Sequence, residues 1–220
     1  VDGNNLSDLY KIRFSNEELP RKNEIWKILC SDFFQKFINP ESTVVDIACG
    51  YGEFLNNIQA KRKIAVDLNP DAKNFLQKSV EFHLCMATEL SSVVRESADV
   101  VFTSNFLEHL PDKKNLDLFL DQVLIALKPG GKYLILGPNL RYVPGQYWDF
   151  YDHHLGLTHL SLSEALKMRG FKVELCIDRF LPFTTQGALP THPFLVRLYL
   201  LFPFAWKLLG KQFFIVAQKP

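Results

Sequence analysis

Residues 44–54, Val-Val-Asp-Ile-Ala-Cys-Gly-Tyr-Gly-Glu-Phe, constrain the fold more than any other stretch of the chain. Val44, Val45 and Ile47 form the short apolar run that a strand buried on both faces requires. Gly50 and Gly52 follow, and the pattern predicts a helix beginning near Glu53. Strand, glycine turn and helix in that order let a ligand approach the backbone without meeting a Cβ, with the N–H groups of the new helix turned toward it. A nucleotide-like ligand is the expectation.

Two details narrow the nucleotide. A dinucleotide fingerprint places a third Gly or Ala three positions after the second glycine, where helix and strand touch, and that position is Leu55. The lysine and hydroxyl of a phosphate-cradling loop are also missing. Instead Asp46 sits inside the strand ahead of the turn, and Asp67 ends the next apolar run, Ile64-Ala65-Val66. An acid beside the turn suits a cationic amino group, and an acid ending the second strand suits ribose hydroxyls.

Four blocks together resemble the class I S-adenosylmethionine-dependent methyltransferases. They are residues 45–52, residues 65–70 (Ala-Val-Asp-Leu-Asn-Pro), residues 98–105 leading to Glu108-His109-Leu110, and residues 127–136 (Leu-Lys-Pro-Gly-Gly-Lys-Tyr-Leu-Ile-Leu). The resemblance runs from residue 44 to about residue 172. It implies an α/β, doubly wound, mostly parallel seven-stranded sheet with helices on both faces and an antiparallel last strand. It further implies S-adenosylmethionine as cofactor, S-adenosylhomocysteine as product, and no metal. Asp67 is expected to hold the ribose and Asp46 the amino-acid end, with Gly50 and Gly52 giving backbone access. Ala48 and Leu68 complete the cofactor contacts of the first two strands. Met86 and the N–H of Ala87 stand in for the acid that many relatives place against the adenine, and the backbone at Asn105 lies against the methionine part.

Composition bounds the rest. With 220 residues, 47% of them hydrophobic, the chain can bury one proper core, and one domain is expected. A net charge of +1 without any lysine–arginine run argues against a nucleic-acid partner. Cys30, Cys49, Cys85 and Cys176 lack paired ligand spacing, so a structural zinc is not expected and the thiols are expected to be reduced and mostly buried, as in the cytoplasm. Val1 in place of an initiator Met leaves a removed leader open.

Along the chain, residues 1–40 form a leading segment and residues 41–220 the methyltransferase domain. Ile25, Trp26, Leu29, Phe33, Phe34 and Phe37 predict an amphipathic helix over 17–37, ended by Asn39-Pro40. In relatives such a segment lies over the cofactor, making Tyr10, Arg13 and Phe14 candidate lid residues, the first two as substrate contacts. Further strands are predicted over 64–68, 80–85, 98–104, 133–136, 171–177 and 212–218. Helices are predicted over 54–59, from Asn69-Pro70-Asp71, and along the apolar stripe from Leu116 to Leu127, stopped by Lys128-Pro-Gly-Gly131. A late helix from about residue 160 is expected to be capped by Ser161 or Ser163 and stopped by Gly170.

Residues 137–161 are dense in polar and aromatic side chains, and substrate handling is expected there. Arg141, Tyr147, Trp148 and Asp152 are candidate substrate contacts. Asp152, His153, His154 and His159 also suggest metal ligands, but adjacent histidines seldom point the same way, and the preferred reading is a general base with aromatic walls. The candidate bases are His154, His159 and His109, in that order. A competing reading has Glu108 and His109 merely start or cap the following helix.

Residues 181–210 replace what is a short connection in relatives. Arg197, Pro203 and Lys207 interrupt its apolar run, so a membrane span is not expected. Three readings stay open: a homodimer face, a cover on the substrate pocket, or a hairpin dipping into a membrane surface, with contact through 190–209. The expected protein is a cytoplasmic or membrane-peripheral methyltransferase acting on a small or carrier-linked acceptor, a hydroxyl for preference. The Phe-rich leading segment and the insertion resemble bacterial methyltransferases that modify sugars in glycan assembly. An NAD-dependent oxidoreductase and a non-catalytic cofactor-binding subunit are the competing readings.

Overall fold

In each central strand of the computed structural model, which describes residues 18–183 and 192–220, successive side chains enter opposite cores. Val45, Ile47, Val101, Tyr133, Ile135 and Ile215 face one apolar cluster, while Val44, Val100, Phe102, Leu134, Leu136 and Phe214 face the other. That two-residue alternation is why continuous apolar runs were needed: neither face meets water.

Seven strands make one sheet: β1 (Thr43–Ile47), β2 (Arg62–Asp67), β3 (Val80–Leu84), β4 (Ala98–Ser104), β5 (Leu127–Pro138), β6 (Lys172–Ile177) and β7 (Gln212–Gln218). Their order is β3-β2-β1-β4-β5-β7-β6, with β7 antiparallel to both of its neighbours. Chain progression reverses direction between β1 and β4, which opens a crevice beyond their carboxyl ends.

One face is covered by α3 (Lys113–Ala126), through Leu116, Phe119, Leu120 and Val123, and by α4 (His159–Met168), through Leu162 and Leu166. The other is covered by α1 (Glu18–Asp32) and α2 (Glu53–Asn57). Here aromatic rings carry the packing: Phe54 stacks on Phe102 at 3.8 Å, and Phe34 and Phe180 are fully buried. Two short helices, α5 (Pro193–Leu201) and α6 (Pro203–Leu209), run outside this face. Each starts on a proline, which needs no helical N–H partner at that position.

Several local expectations are corrected. The helix of α1 ends at Asp32 and not near Asn39, because Phe33 and Phe34 are both buried; a 3-10 turn over Phe34–Phe37 brings consecutive rings inward. Asn69-Pro70 opens only a 3-10 turn, Pro70–Phe75, with the Asn69 side chain accepting from the Asp71 N–H. Residues 128–131 belong to β5, since Gly130 N–H donates to Lys219 and Lys219 N–H to Gly131. The cap of α4 is Thr158, and Ser161 is its reciprocal partner three residues on. Gly170 ends that segment with φ +88°. All four cysteines are free; Cys30 and Cys49 are buried, whereas Cys176 is exposed.

Candidate active site

The crevice at the β1–β4 reversal is a cavity of about 1120 Å³. Single-ligand pockets run to roughly 1,000 Å³, so this one has room for a nucleoside-sized molecule and part of a second.

Its first end is built on the glycine turn. β1 delivers Asp46, and the chain turns through Ala48 (φ +56°) and Gly50 (φ +55°). The turn is tied to β2: Ala48 N–H donates to the Val66 carbonyl at 2.8 Å, and Gly50 N–H to Asp67 Oδ2 at 2.9 Å. Asp67 Oδ1 accepts from Asn69 N–H at 2.8 Å. A left-handed alanine costs about 1–2 kcal/mol, and such strain gathers at ligand sites. Asp46, Ala48, Gly50, Asp67, Leu68, Met86, Ala87 and Asn105 all line the cavity. Asn105 is also left-handed, at φ +49°, where β4 ends.

Gly52 is the exception among the expected cofactor residues. It is absent from the wall; it caps α2 at φ +71°, and a Cβ there would lie 2.4 Å from Leu76 Cδ2. Its glycine is demanded by its own backbone and by Leu76, not by a ligand.

Electrostatics favour a cationic ligand at this end. Burial raises the Asp46 pKa well above the carboxylate range, and the charges of Asp67 and Glu53 raise it further. Burial also raises Asp67, opposed by the N–H groups of Asn69, Gly50 and Leu68 and by the Cys49 thiol. Glu53 pairs with Lys22 of α1 at 2.8 Å. A ligand bringing positive charge would relieve the strain of two adjacent buried acids.

The second end is assembled from the turn after β4 and the loop after β5. His154 N–H and Leu155 N–H both donate to the Glu108 carbonyl, at 2.8 and 3.0 Å, which docks the loop on the turn. Glu108, His109, Asp152 and His153 thereby meet at the cavity wall. His109 Nδ1 lies 3.1 Å from Asp152 Oδ2 and 3.0 Å from the Asp152 carbonyl, which fixes it as the protonated nitrogen. Burial acts to lower the His109 pKa, but the hydrogen bond that His109 donates to Asp152 and the charges of Glu108 and Asp152 outweigh it, and the pKa is raised. His153 packs between Phe150 and Tyr147, with ring centroids 4.9 Å from each. Glu108 and His109 lie in a 3-10 turn ahead of α3, which starts at Lys113 and is capped by Asp112, so neither caps that helix.

Other expected site residues fall elsewhere. His154 is exposed and contributes its backbone, because the chain that buries His153 turns the next side chain outward. His159 opens α4, with Nδ1 2.9 Å from Asn139 Nδ2, and does not reach the cavity. Burial lowers its pKa, partly offset by Asp178. Tyr147 is fully buried and its hydroxyl donates to the Leu155 carbonyl, a structural role. Arg141 and Trp148 are exposed and away from the cavity. Tyr10, Arg13 and Phe14 lie outside the described residues. Of the expected bases only His109 faces the cavity, and of the expected substrate contacts among the described residues only Asp152.

Much of the remaining wall is apolar, interrupted by Lys22, Thr88, Ser104, Asn115 and Gln212. Trp26 and Leu29 of α1, Leu195, Val196, Leu198 and Tyr199 of α5, Phe202 between the two helices and Leu209 of α6 line it, so α5 and α6 wall one side of the pocket. Tyr199 OH donates to the Phe180 carbonyl, and Trp206 Nε1 to the Tyr199 carbonyl at 2.8 Å, holding this cover down. Among the described residues no helix is long and apolar enough to cross a membrane. Sequence reading gave Glu108 and Phe150 no role in the site, named His153 only within a metal set, and left a pocket cover as one of three readings of residues 181–210; the pair Glu108-His109 at the end of a buried strand was the available signal.

A family model described as "Methyltransferase domain" matches residues 21–175. No curated protein matches the chain. Among solved structures, a SAM-dependent methyltransferase from Archaeoglobus fulgidus is similar at 23% identity and a TM-score of 0.67, over 92% of this chain and 97% of that one. SAM-dependent methyltransferases from Methanosarcina mazei and Mesorhizobium loti are similar at 18% and 17% identity, with TM-scores of 0.60 and 0.59. The former similarity covers 84% of this chain and 96% of that one, the latter 81% and 91%. The chain belongs to the class I S-adenosylmethionine-dependent methyltransferase family.

Proposed function

We propose that this methyltransferase acts on a hydroxyl of a small or carrier-linked acceptor, a sugar or glycan precursor, in the cytoplasm. One observation carries the reading: the Glu108–His109–Asp152–His153 cluster, buried but for a half-buried His109, shares a cavity with the acid-flanked glycine turn. An amine or carboxylate acceptor would need no such cluster, whereas a hydroxyl must lose a proton as its new bond forms.

The donor set fits the cofactor. Asp67 holds the ribose, Asp46 the amino group, Met86 and Ala87 the adenine, and the backbone at Asn105 the methionine part. When bound, S-adenosylmethionine supplies an activated sulfonium methyl. The protein's own work is then to align the acceptor and keep water away. Asp152 orients His109 toward the acceptor, and Trp26, Leu29, α5 and α6 exclude water.

The apolar cover suits an acceptor carried on a lipid. Phe194, Leu201, Phe204 and Leu208 expose large apolar surface on the outer side of α5 and α6. We take that side to rest on a membrane surface and not on a second copy of the chain.

The test uses methyl-labelled S-adenosylmethionine with sugar nucleotides and lipid-linked sugars. Label on an acceptor oxygen, lost in His109→Ala, supports the reading. Label on nitrogen only would overturn it. Cofactor binding with no product from any acceptor would favour a non-catalytic subunit.

A further inference from the structure

We infer that Glu108, His109 and His153 form a site for one divalent transition cation, and that this cation binds the acceptor oxygen. The inference rests on the proposed oxygen acceptor and says how its proton is removed.

Glu108 and His153 are buried, His109 is half-buried, and the three ligand atoms they offer lie within 4.8 Å of one another. Ligands about 2.1 Å from a shared tetrahedral ion lie ~3.4 Å apart, so the site must tighten by roughly an ångström, within the reach of side-chain rotation. Two imidazoles and one carboxylate suit zinc, manganese, cobalt or iron better than magnesium or calcium, which favour all-oxygen sets.

A second observation concerns the supporting contact. Metal-bound histidines nearly always give their other ring N–H to a carboxylate or carbonyl, which fixes the tautomer. His109 Nδ1 already lies against the carboxylate and the carbonyl of Asp152, at 3.1 and 3.0 Å. In the neutral ring that contact leaves Nε2 as the ligand atom. Phe150 stacked on His153 at 4.9 Å limits how that ring can turn. These ligands differ from the Asp152–His153–His154–His159 set that the sequence suggested: neighbouring His153 and His154 do diverge, and Glu108 and His109 come from another strand end.

Three protein ligands leave at least one position for the acceptor. A hydroxyl bound there is acidified. Its O–H bond breaks and the proton passes to water at the cavity mouth. The oxygen's electron pair then forms the bond to the methyl carbon, while the carbon–sulfur pair stays on sulfur. Acceptors with two neighbouring oxygens, such as a vicinal diol of a sugar, would chelate the ion and bind best.

The test is titration of chelator-treated, full-length protein with cobalt(II), followed by its visible absorption, with S-adenosylhomocysteine binding measured on the same samples. One equivalent should bind with an imidazole-type spectrum. His153→Gln and Glu108→Gln should weaken binding at least about a hundredfold, Asp152→Asn about 10–100-fold, and His154→Ala not at all. No saturable binding, or binding that survives His153→Gln and Glu108→Gln but not His154→Ala, overturns the inference. Product binding without cobalt binding sinks the metal site alone. Cobalt binding without product binding keeps the site and sinks the methyltransferase setting.

Discussion

The two ends of the cavity are built in different ways. The cofactor end comes from two adjacent parallel strands and one tight turn, and its contacts are local: Ala48 to Val66, Gly50 to Asp67, Asp67 to Asn69. The acceptor end joins the turn after β4 to a loop that follows β5, through two backbone bonds to the Glu108 carbonyl. A site made within one βαβ unit is rigid and recurs across a family. One made by a loop docking on a turn can be rebuilt for each acceptor, as loop-borne sites on fixed scaffolds are.

The largest expected effect separates the two ends. His109→Ala should lower kcat by about 10²–10⁴-fold with S-adenosylhomocysteine affinity unchanged, measured by steady-state kinetics and calorimetry. His154→Ala and His159→Ala should each change kcat less than about twofold, as expected for side chains outside the cavity. Equal losses in all three would break the distinction.

Gly52→Ala sharpens it from the other end. A left-handed alanine costs about 1–2 kcal/mol, and the Cβ would sit 2.4 Å from Leu76 Cδ2. The unfolding midpoint should fall by roughly 3–8 °C, with cofactor affinity in the folded protein nearly unchanged. Loss of affinity without loss of stability would return Gly52 to the ligand site.

Asp46 should link binding to pH. Its pKa is raised in the free protein, with Asp67, Glu53, Cys30 and Cys49 as its titratable neighbours. The folded state therefore holds a proton that the unfolded chain has released. Stability from this group is fully present below its ordinary carboxylate pKa and is lost as pH rises through the folded value. A cationic amino group favours the ionised form, so cofactor affinity should rise across that same window, with proton release on binding. Calorimetry in buffers of different ionisation heat reads the release, and Asp46→Asn should remove it.

The smallest effect concerns the outer face of the cover. Phe204→Asp with Leu208→Asp should reduce co-sedimentation with anionic vesicles severalfold while leaving the oligomeric state unchanged. A shift from dimer to monomer in sizing experiments would assign the face to a second copy.

Strands and the first end were legible because their rules are short-range. Ala98–Ser104 and Gln212–Gln218 fall where their apolar runs place them, and Asp46, Gly50 and Asp67 sit at fixed offsets from those runs. The errors came where distant residues decide. Leu76 explains Gly52, two consecutive buried rings explain the early end of α1, and Lys219 explains why residues 128–131 are strand. His153 and His154 cannot be ranked from composition: which one faces inward depends on where the loop meets Glu108.

The central claim is that the glycine-turn end holds S-adenosylmethionine through Asp67. Thermal unfolding with S-adenosylmethionine, S-adenosylhomocysteine and NAD in turn, on the natural chain and on Asp67→Ala, tests it most directly. A ligand that binds only the folded state stabilises it by about 2.7 kcal/mol at a hundredfold excess over Kd and so raises the midpoint with concentration. A rise with both sulfur ligands, absent with NAD and largely lost in Asp67→Ala, is the predicted result. A rise with NAD alone, or one that Asp67→Ala leaves intact, would contradict the account.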